Sequence, residues 1–235
     1  MSLADRAYGE IRNRILKGDL PVGRSLSRRK LAEDLNISVP PISEALQRLE
    51  HDGLVESKPR VGTRVRVPTR QDAEDRSIVR AALESQAARL FAERATTAER
   101  KELRQMGQRV DQLYSACEEA SGDREFLFSV NTYHMKLHLR IAECARCPPL
   151  RDAIEKEQVL IFNWVFETAA QRRSLGSDYH SRLAHALASG NGGKAAAAMH
   201  QHIEHGLREV IEGLANLSGY STDAGWRQRK SIARK

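Results

Sequence analysis

Seven of the eight histidines of this 235-residue chain lie between residues 134 and 205. Imidazole is a ligand for late first-row divalent ions and the side chain whose charge changes closest to neutral pH. His134 and His138 are four apart in a stretch with helical apolar spacing, so they share one face of a helix. His180 opens the run HSRLAHALASGNGGKAAAAMHQHIEH, and His202 sits near its end. If the helices carrying them pack together, four imidazoles can converge on one ion. The alternative is that each is a hydrogen-bonded core residue, which is the commoner fate of a lone buried histidine. His185, His200 and His205 read as surface or supporting residues. Cys144 and Cys147 form a CxxC with no second pair and read as structural; with Cys117 they are too few for a disulfide framework.

The elements that must position these groups are helical. The chain is 40% hydrophobic but only 5% aromatic, and it is rich in Ala, Leu, Arg and Glu, which favours helix over sheet. From about residue 71 to 217 the periodicity predicts helices over 71–95, 97–120, 123–145, 148–173, 175–189 and 192–217. Breaks fall at Ala95-Thr96, Ser121-Gly122, Cys147-Pro148-Pro149, Gly176 and Gly190-Asn191-Gly192-Gly193. The tail 218–235 is polar and basic, and we expect it to be partly disordered. No apolar run approaches the roughly 18 residues that a membrane span needs, and the charged start lacks a signal peptide's apolar middle. The expectation is a cytoplasmic protein with no membrane partner.

The first 68 residues differ in kind. They hold much of the net charge of +7, with a second basic excess in the tail, while the middle of the chain is close to neutral. A polyanion is the natural partner of such an end. Ala7, Tyr8, Ile11, Ile15 and Leu16 mark a first helix over 5–17. Ser27 is a candidate N-cap for a second, and Asn36 suits the left-handed turn after it. Ser38 caps a third, with Pro40 and Pro41 in its first turn, and this helix ends at Asp52-Gly53. Two strand-like runs follow, Leu54–Ser57 and Thr63–Val67, around the turn Lys58-Pro59-Arg60-Val61-Gly62. In the second run Thr63, Val65 and Val67 alternate with Arg64 and Arg66, the period of a half-exposed strand. The pattern predicts a winged helix-turn-helix over 1–68, joined by a short linker to an all-helical domain over 71–217. The fold class is mainly α with a small β wing.

Residues 16–65 resemble the GntR family DNA-binding domain across their whole length. The resemblance rests on Gly18, Leu20, Pro21, Gly23, Leu26, Leu31-Ala32-Glu33, Leu35, Ser38, Pro41, Glu44-Ala45-Leu46, Leu49, Gly53-Leu54-Val55 and Gly62. It implies a regulator that binds double-stranded operator DNA as a homodimer, most commonly as a repressor. Relatives commonly carry arginines at the positions of Val39 and Ser43. An arginine there can bond a guanine edge twice, worth about 1–3 kcal/mol of discrimination. Here Val39 offers a methyl contact to thymine, while Ser43 and Gln47 offer hydrogen bonds, so a different operator is expected. Arg28, Arg29, Lys30, Arg64 and Arg66 are the candidate phosphate or minor-groove contacts, with Ser38 at the helix start. The bland alternative is that some of these are only solvated charges.

Residues 72–217 resemble the FCD ligand-binding domain of FadR-like GntR regulators. The resemblance rests on Arg80 and Glu84, on LHLRIAECARCPPL (137–150), and on His180, Leu183, Ala186-Leu187, Gly190, Met199 and His202. It implies a divalent metal held by an aspartate and three histidines, which match His138, His180 and His202; the aspartate position is His134. A fourth imidazole in place of a hard oxygen favours Zn²⁺, or Ni²⁺ or Cu²⁺, over Mg²⁺, Mn²⁺ or Ca²⁺. The alternative is that His134 faces away and three histidines bind with water. The resemblance also implies a small organic acid effector, with Arg80 reaching its carboxylate through a bidentate fork. The alternative for Arg80 is a surface ion pair with Glu84, worth only about 0.3–0.5 kcal/mol. A metalloenzyme would need a general base beside the metal, and no HExxH or other evident base is present. A purely architectural DNA-binding protein would need neither metal nor ligand site.

Overall fold

A computed structural model describes residues 1–119, 123–168 and 178–217. The expected tail, the break at Ser121-Gly122, the end of the fourth long helix and the break at Gly176 lie outside the described residues. The chain divides into two compact units, the first within Met1–Val67 and the second over Pro68–Leu214.

In the first unit, α1 (Leu3–Leu16) opens with a capping box between Ser2 and Asp5. This satisfies first-turn N–H groups that have no partner within the helix. Its buried Ile11 and Ile15 face the core made by Ile42, Leu46 and Leu49 of α3 (Val39–His51), against which α1 packs. Polar contacts fix the crossing: Arg48 reaches Asp5 at 2.8 Å, and Tyr8 donates to Asp52 at 2.6 Å. Between them α2 (Arg28–Leu35) starts at Ser27, whose hydroxyl accepts from the Lys30 amide. It stops at Asn36, which adopts the left-handed conformation with φ 50°. The turn to α3 is therefore tight.

Three strands form one antiparallel sheet in the order β1 (Ser25–Leu26), β3 (Gly62–Val65), β2 (Val55–Lys58). Val55 faces Val65 and Lys58 faces Gly62, so β2 and β3 make the wing. The two-residue β1 has no pattern long enough to be seen in the sequence. The expected alternation in β3 is not what the strand shows. Thr63, Arg64 and Val65 are all buried, because Arg64 lies against Glu56 on β2 with Nε 2.8 Å from the carboxylate. Arg64 is therefore largely enclosed within the wing, and Arg66 is half-buried.

The second unit is built from α4 (Arg70–Arg94), α5 (Thr97–Glu119), α6 (Arg124–Cys144), α7 (Pro148–Thr168), α8 (Tyr179–Leu187) and α9 (Gly192–Leu217). A Thr69–Asp72 capping box starts α4, and Asp123 caps α6. Phe91, Leu103, Leu137, Ile141, Ile154, Leu187 and Met199 are fully buried in one core, to which α4 through α9 all contribute. Arg100 ties three backbone ends together, donating to the carbonyls of Ala92 at 2.6 Å and of Ala95 and Ala188 at 3.1 Å. That clamp satisfies carbonyls left over where α4 and α8 end.

Candidate metal centre

Two turns of α6 present His134 and His138, and α9 brings His202 to meet them. The three Nε2 atoms form a triangle: His134 to His138 3.0 Å, His138 to His202 3.2 Å, and His134 to His202 3.3 Å. Imidazole nitrogens about 2.0–2.1 Å from one ion, at 90° to 110° to each other, stand about 2.9–3.4 Å apart. The triangle fits one face of such a coordination sphere. The three groups are also the cluster whose ligand atoms lie within 4.8 Å of one another among the described residues.

Two of the three outer nitrogens have partners that turn Nε2 inward, while Nδ1 of His202 is buried without one. His138 Nδ1 makes a short hydrogen bond to Glu84, a residue only 2% exposed. Burial alone would raise the Glu84 carboxyl, but Arg80 and His138 together hold it at about 2. Glu84 is thus an acceptor only. An acceptor there favours the His138 tautomer that carries its proton on Nδ1, the one that leaves the Nε2 lone pair for a ligand. His134 Nδ1 lies 3.0 Å from the Tyr114 hydroxyl. His202 is buried, and its ring lies stacked on Tyr179 with centroids 5.2 Å apart. Burial, then the charges of His138, His180 and Arg80, hold it well below its ordinary value, so it is neutral. A cation needs its ligating imidazoles neutral with the lone pair turned inward, and His202, held neutral by burial, meets that condition on charge.

His180 stands beside this triangle. Its ring centroid is 4.5 Å from that of His134 and 5.4 Å from that of His202. It is completely buried, and both its Nδ1 and its backbone N–H lie 2.8 Å from Asp111 Oδ1. The other oxygen of Asp111 accepts from the Ser181 amide at 2.8 Å and hydroxyl at 2.6 Å. Asp111 on α5 therefore does for α8 what a capping residue would do, and it orients the His180 ring at the same time. Gly107, one turn earlier on α5, makes room for this: a Cβ there would stand 2.8 Å from the His180 carbonyl oxygen. Sequence reasoning found the histidines but not Asp111, Tyr114 or Gly107. Their partners are 69, 20 and 73 positions away, and no local pattern marks them.

Arg80 takes neither of its expected roles cleanly. It does pair with Glu84, Nε to Oε1 at 2.7 Å, but the pair is buried, with side chains 14% and 3% exposed. It is the far end of the chain Arg80–Glu84–His138, one residue removed from the triangle. Cys144 is buried and its thiol is pushed up to about 11, chiefly by burial, which suits a structural residue.

On the winged unit, Arg29, Lys30, Ser38, Val39 and Gln47 are exposed and Ser43 is half-buried. The Ser38 side chain makes no cap hydrogen bond to α3. Arg28 is exposed overall and donates to the buried Thr63 on the wing at 3.3 Å.

The model of the bacterial regulatory proteins of the gntR family matches residues 3–65, and the FCD domain model matches residues 77–205. The chain belongs to the GntR family, as a transcriptional regulator with an FCD domain. Among curated relatives, LutR of Bacillus subtilis is 26% identical over 85% of this chain and 96% of its own length. YdhC of the same organism is 24% identical over 66% of each chain. A Paenarthrobacter nicotinovorans protein named for repression of a D-xylose utilization operon is 40% identical, over 33% of this chain. The matched stretch spans only 34% of that protein's length. Two solved structures share the fold: McbR/YncC of E. coli (22% identity, TM-score 0.68, 93% of this chain and 99% of that one) and a GntR regulator of Rhodococcus sp. RHA1 (20%, 0.73, 90% and 99%). Among the described residues no helix is long and apolar enough to cross a membrane.

Proposed function

We propose that this regulator is a homodimeric repressor released from its operator by a small organic acid bound at a metal site in the FCD domain. The convergence of three Nε2 atoms within 3.0–3.3 Å carries the reading. His134, His138 and His202 would hold a divalent transition ion, Zn²⁺ first and Ni²⁺ or Cu²⁺ next, since every donor is a nitrogen. His180 is the candidate fourth ligand. The ion would supply a Lewis-acidic anchor for a carboxylate oxygen. Glu84 keeps His138 in the ligating tautomer, and Tyr114 and Asp111 orient His134 and His180. Arg80, held through Nε by Glu84, carries further N–H groups that suit a second anionic group of the ligand. Because the histidines sit on α6, α8 and α9, ligand binding would draw those helices together and alter the spacing of two DNA-binding units in a dimer.

On DNA, α3 is the recognition helix, with Val39, Ser43 and Gln47 toward base edges and Ser38 at its start. Arg28, Arg29, Lys30 and Arg66 are the phosphate contacts, while Arg64 supports the wing through Glu56. The test is elemental analysis of purified protein and of His138→Ala, with small carboxylates titrated into a complex of each with operator DNA. Stoichiometric metal in the parent, lost together with ligand response in the variant, is the expected result. Full response in protein without metal would overturn the mechanism.

A further inference from the structure

Several buried polar atoms of the helical unit lack a hydrogen-bond partner, the hydroxyls of Ser85 and Thr132 and one ring nitrogen each of His202 and His205 among them. Gln158 alone of the described residues leaves both a donor atom and an acceptor atom unmet. Gln158 on α7 is 4% exposed, and neither its Nε2 nor its Oε1 meets a hydrogen-bond partner. A buried amide without partners is destabilising compared with an apolar residue of similar size. Such a group in a packed core calls for a partner that the chain itself does not provide.

Its position says where that partner would be. α6 and α7 are joined by a three-residue turn and pack side by side, so they run antiparallel. His134 lies ten residues before the end of α6, and Gln158 ten residues after the start of α7. At about 1.5 Å per residue, both stand about 15 Å from the turn, at the same level of the bundle. Two contacts fix which way Gln158 faces. Ile154, one helical turn before it, is in the core with Leu137 and Ile141 of α6. Glu157, beside it, is held by Arg76 Nη1 at 2.8 and 2.9 Å, one turn before Arg80 on α4. α7 packs on α4 and α6, so the buried Gln158 faces the two helices that carry Arg80 and Glu84 on one side and His134 and His138 on the other.

We propose that Gln158 is the selectivity residue of the ligand site, its amide reading a hydroxyl on a small carboxylate bound beside His134, His138 and His202. A hydroxyl can donate to Oε1 and accept from Nε2–H, which satisfies both orphaned atoms at once. A ligand lacking the hydroxyl leaves the amide as it is in the empty protein. The proposal rests on the reading of this site as a carboxylate receptor.

The experiment compares zinc-supplemented parent protein and Gln158→Leu by calorimetric titration with matched pairs, glycolate against acetate and malate against succinate. Gln158→Leu keeps the volume and removes the unsatisfied amide, so the ligand-free variant should melt at the same temperature or higher. The parent should prefer the hydroxylated member of at least one pair by about tenfold or more. The variant should bind both members alike, with zinc content unchanged. Carboxylate binding without discrimination in the parent, or discrimination that survives in Gln158→Leu, would overturn the proposal and leave the receptor reading standing. Binding of no member of either pair by zinc-loaded parent protein would overturn both. An amide satisfied only by trapped water gives the first of these results.

Discussion

Both units have apolar cores, but they differ in where they keep their candidate functional residues. The core of the winged unit is aliphatic, with Ile11, Ile15, Ile42 and Leu49 fully enclosed, and its candidate contacts are on the surface, Val39 at 39% exposed among them. The helical unit encloses its polar groups instead: Glu84, His138, His180, His202 and Gln158 are all buried. Surface contacts can change with little effect on folding. Buried ones cannot, because each removed partner leaves another group without one. Recognition of DNA should therefore be separable from stability in this protein, and recognition of a ligand should not.

Four outcomes would break or sharpen that contrast. Glu84→Ala leaves Arg80 without its carboxylate and His138 without its acceptor, both inside the bundle. It should cost about 3–5 kcal/mol, read as a lower denaturation midpoint of the full chain. A loss under 1 kcal/mol would show that the buried pair is not what holds this region together.

Next come the candidate metal ligands. His138→Ala should lower zinc affinity by more than a hundredfold, measured by competition with a chelator. His180→Ala separates two coordination sets. A loss as large as that in His138→Ala makes His180 a fourth ligand, whereas a loss near tenfold makes it a neighbour that only orients His134.

Acid should act on the helical unit in two steps. His202 is neutral in the fold and its value is depressed, so its contribution is complete above the ordinary value near 6.5 and is lost as pH falls below it. Glu84, at about 2 in the fold, contributes fully above its ordinary value of 4.5 and loses that contribution as pH falls toward 2. Melting temperatures of metal-free protein measured from pH 7.5 downward should fall in that order. A flat profile between pH 7 and 5 would contradict the neutral, buried His202.

The smallest effects belong to the surface. Replacing one thymine of the operator by deoxyuridine removes a single methyl group, and at the base read by Val39 it should weaken binding by roughly 1 kcal/mol. Val39→Ala should be insensitive to that replacement, with the same melting temperature as the parent. Arg66→Ala should reduce the salt dependence of DNA binding by about one phosphate contact on specific and random sequences alike.

Legibility in the sequence followed the same division. The three helices of the winged unit were readable because their signals are local: Ser27 as a cap, Asn36 in the left-handed turn, Asp52-Gly53 at the end of α3. The wing was readable as a hairpin but not in its faces. Arg64 looks solvent-bound until Glu56 is seen opposite it in the register. In the helical unit His134 and His138 share a face by spacing alone, and their meeting with His202 could be anticipated from residue type. Glu84 was visible only as a neighbour of Arg80. Asp111, Tyr114 and Gln158 look like ordinary residues of amphipathic helices, since what distinguishes them is a partner, or a missing partner, on another helix.

Asp111 also has a consequence for the order in which the bundle assembles. A helix of nine residues such as α8 is too short to persist alone in water. Two of its first-turn amides are bonded by a carboxylate some seventy positions earlier, so they stay open until α5 has arrived. Deuterium exchange at His180 and Ser181 will therefore report the parting of α5 from α8 and not the fraying of α8 itself. His180 should be the last histidine of the cluster to reach its place during refolding, and the first to leave.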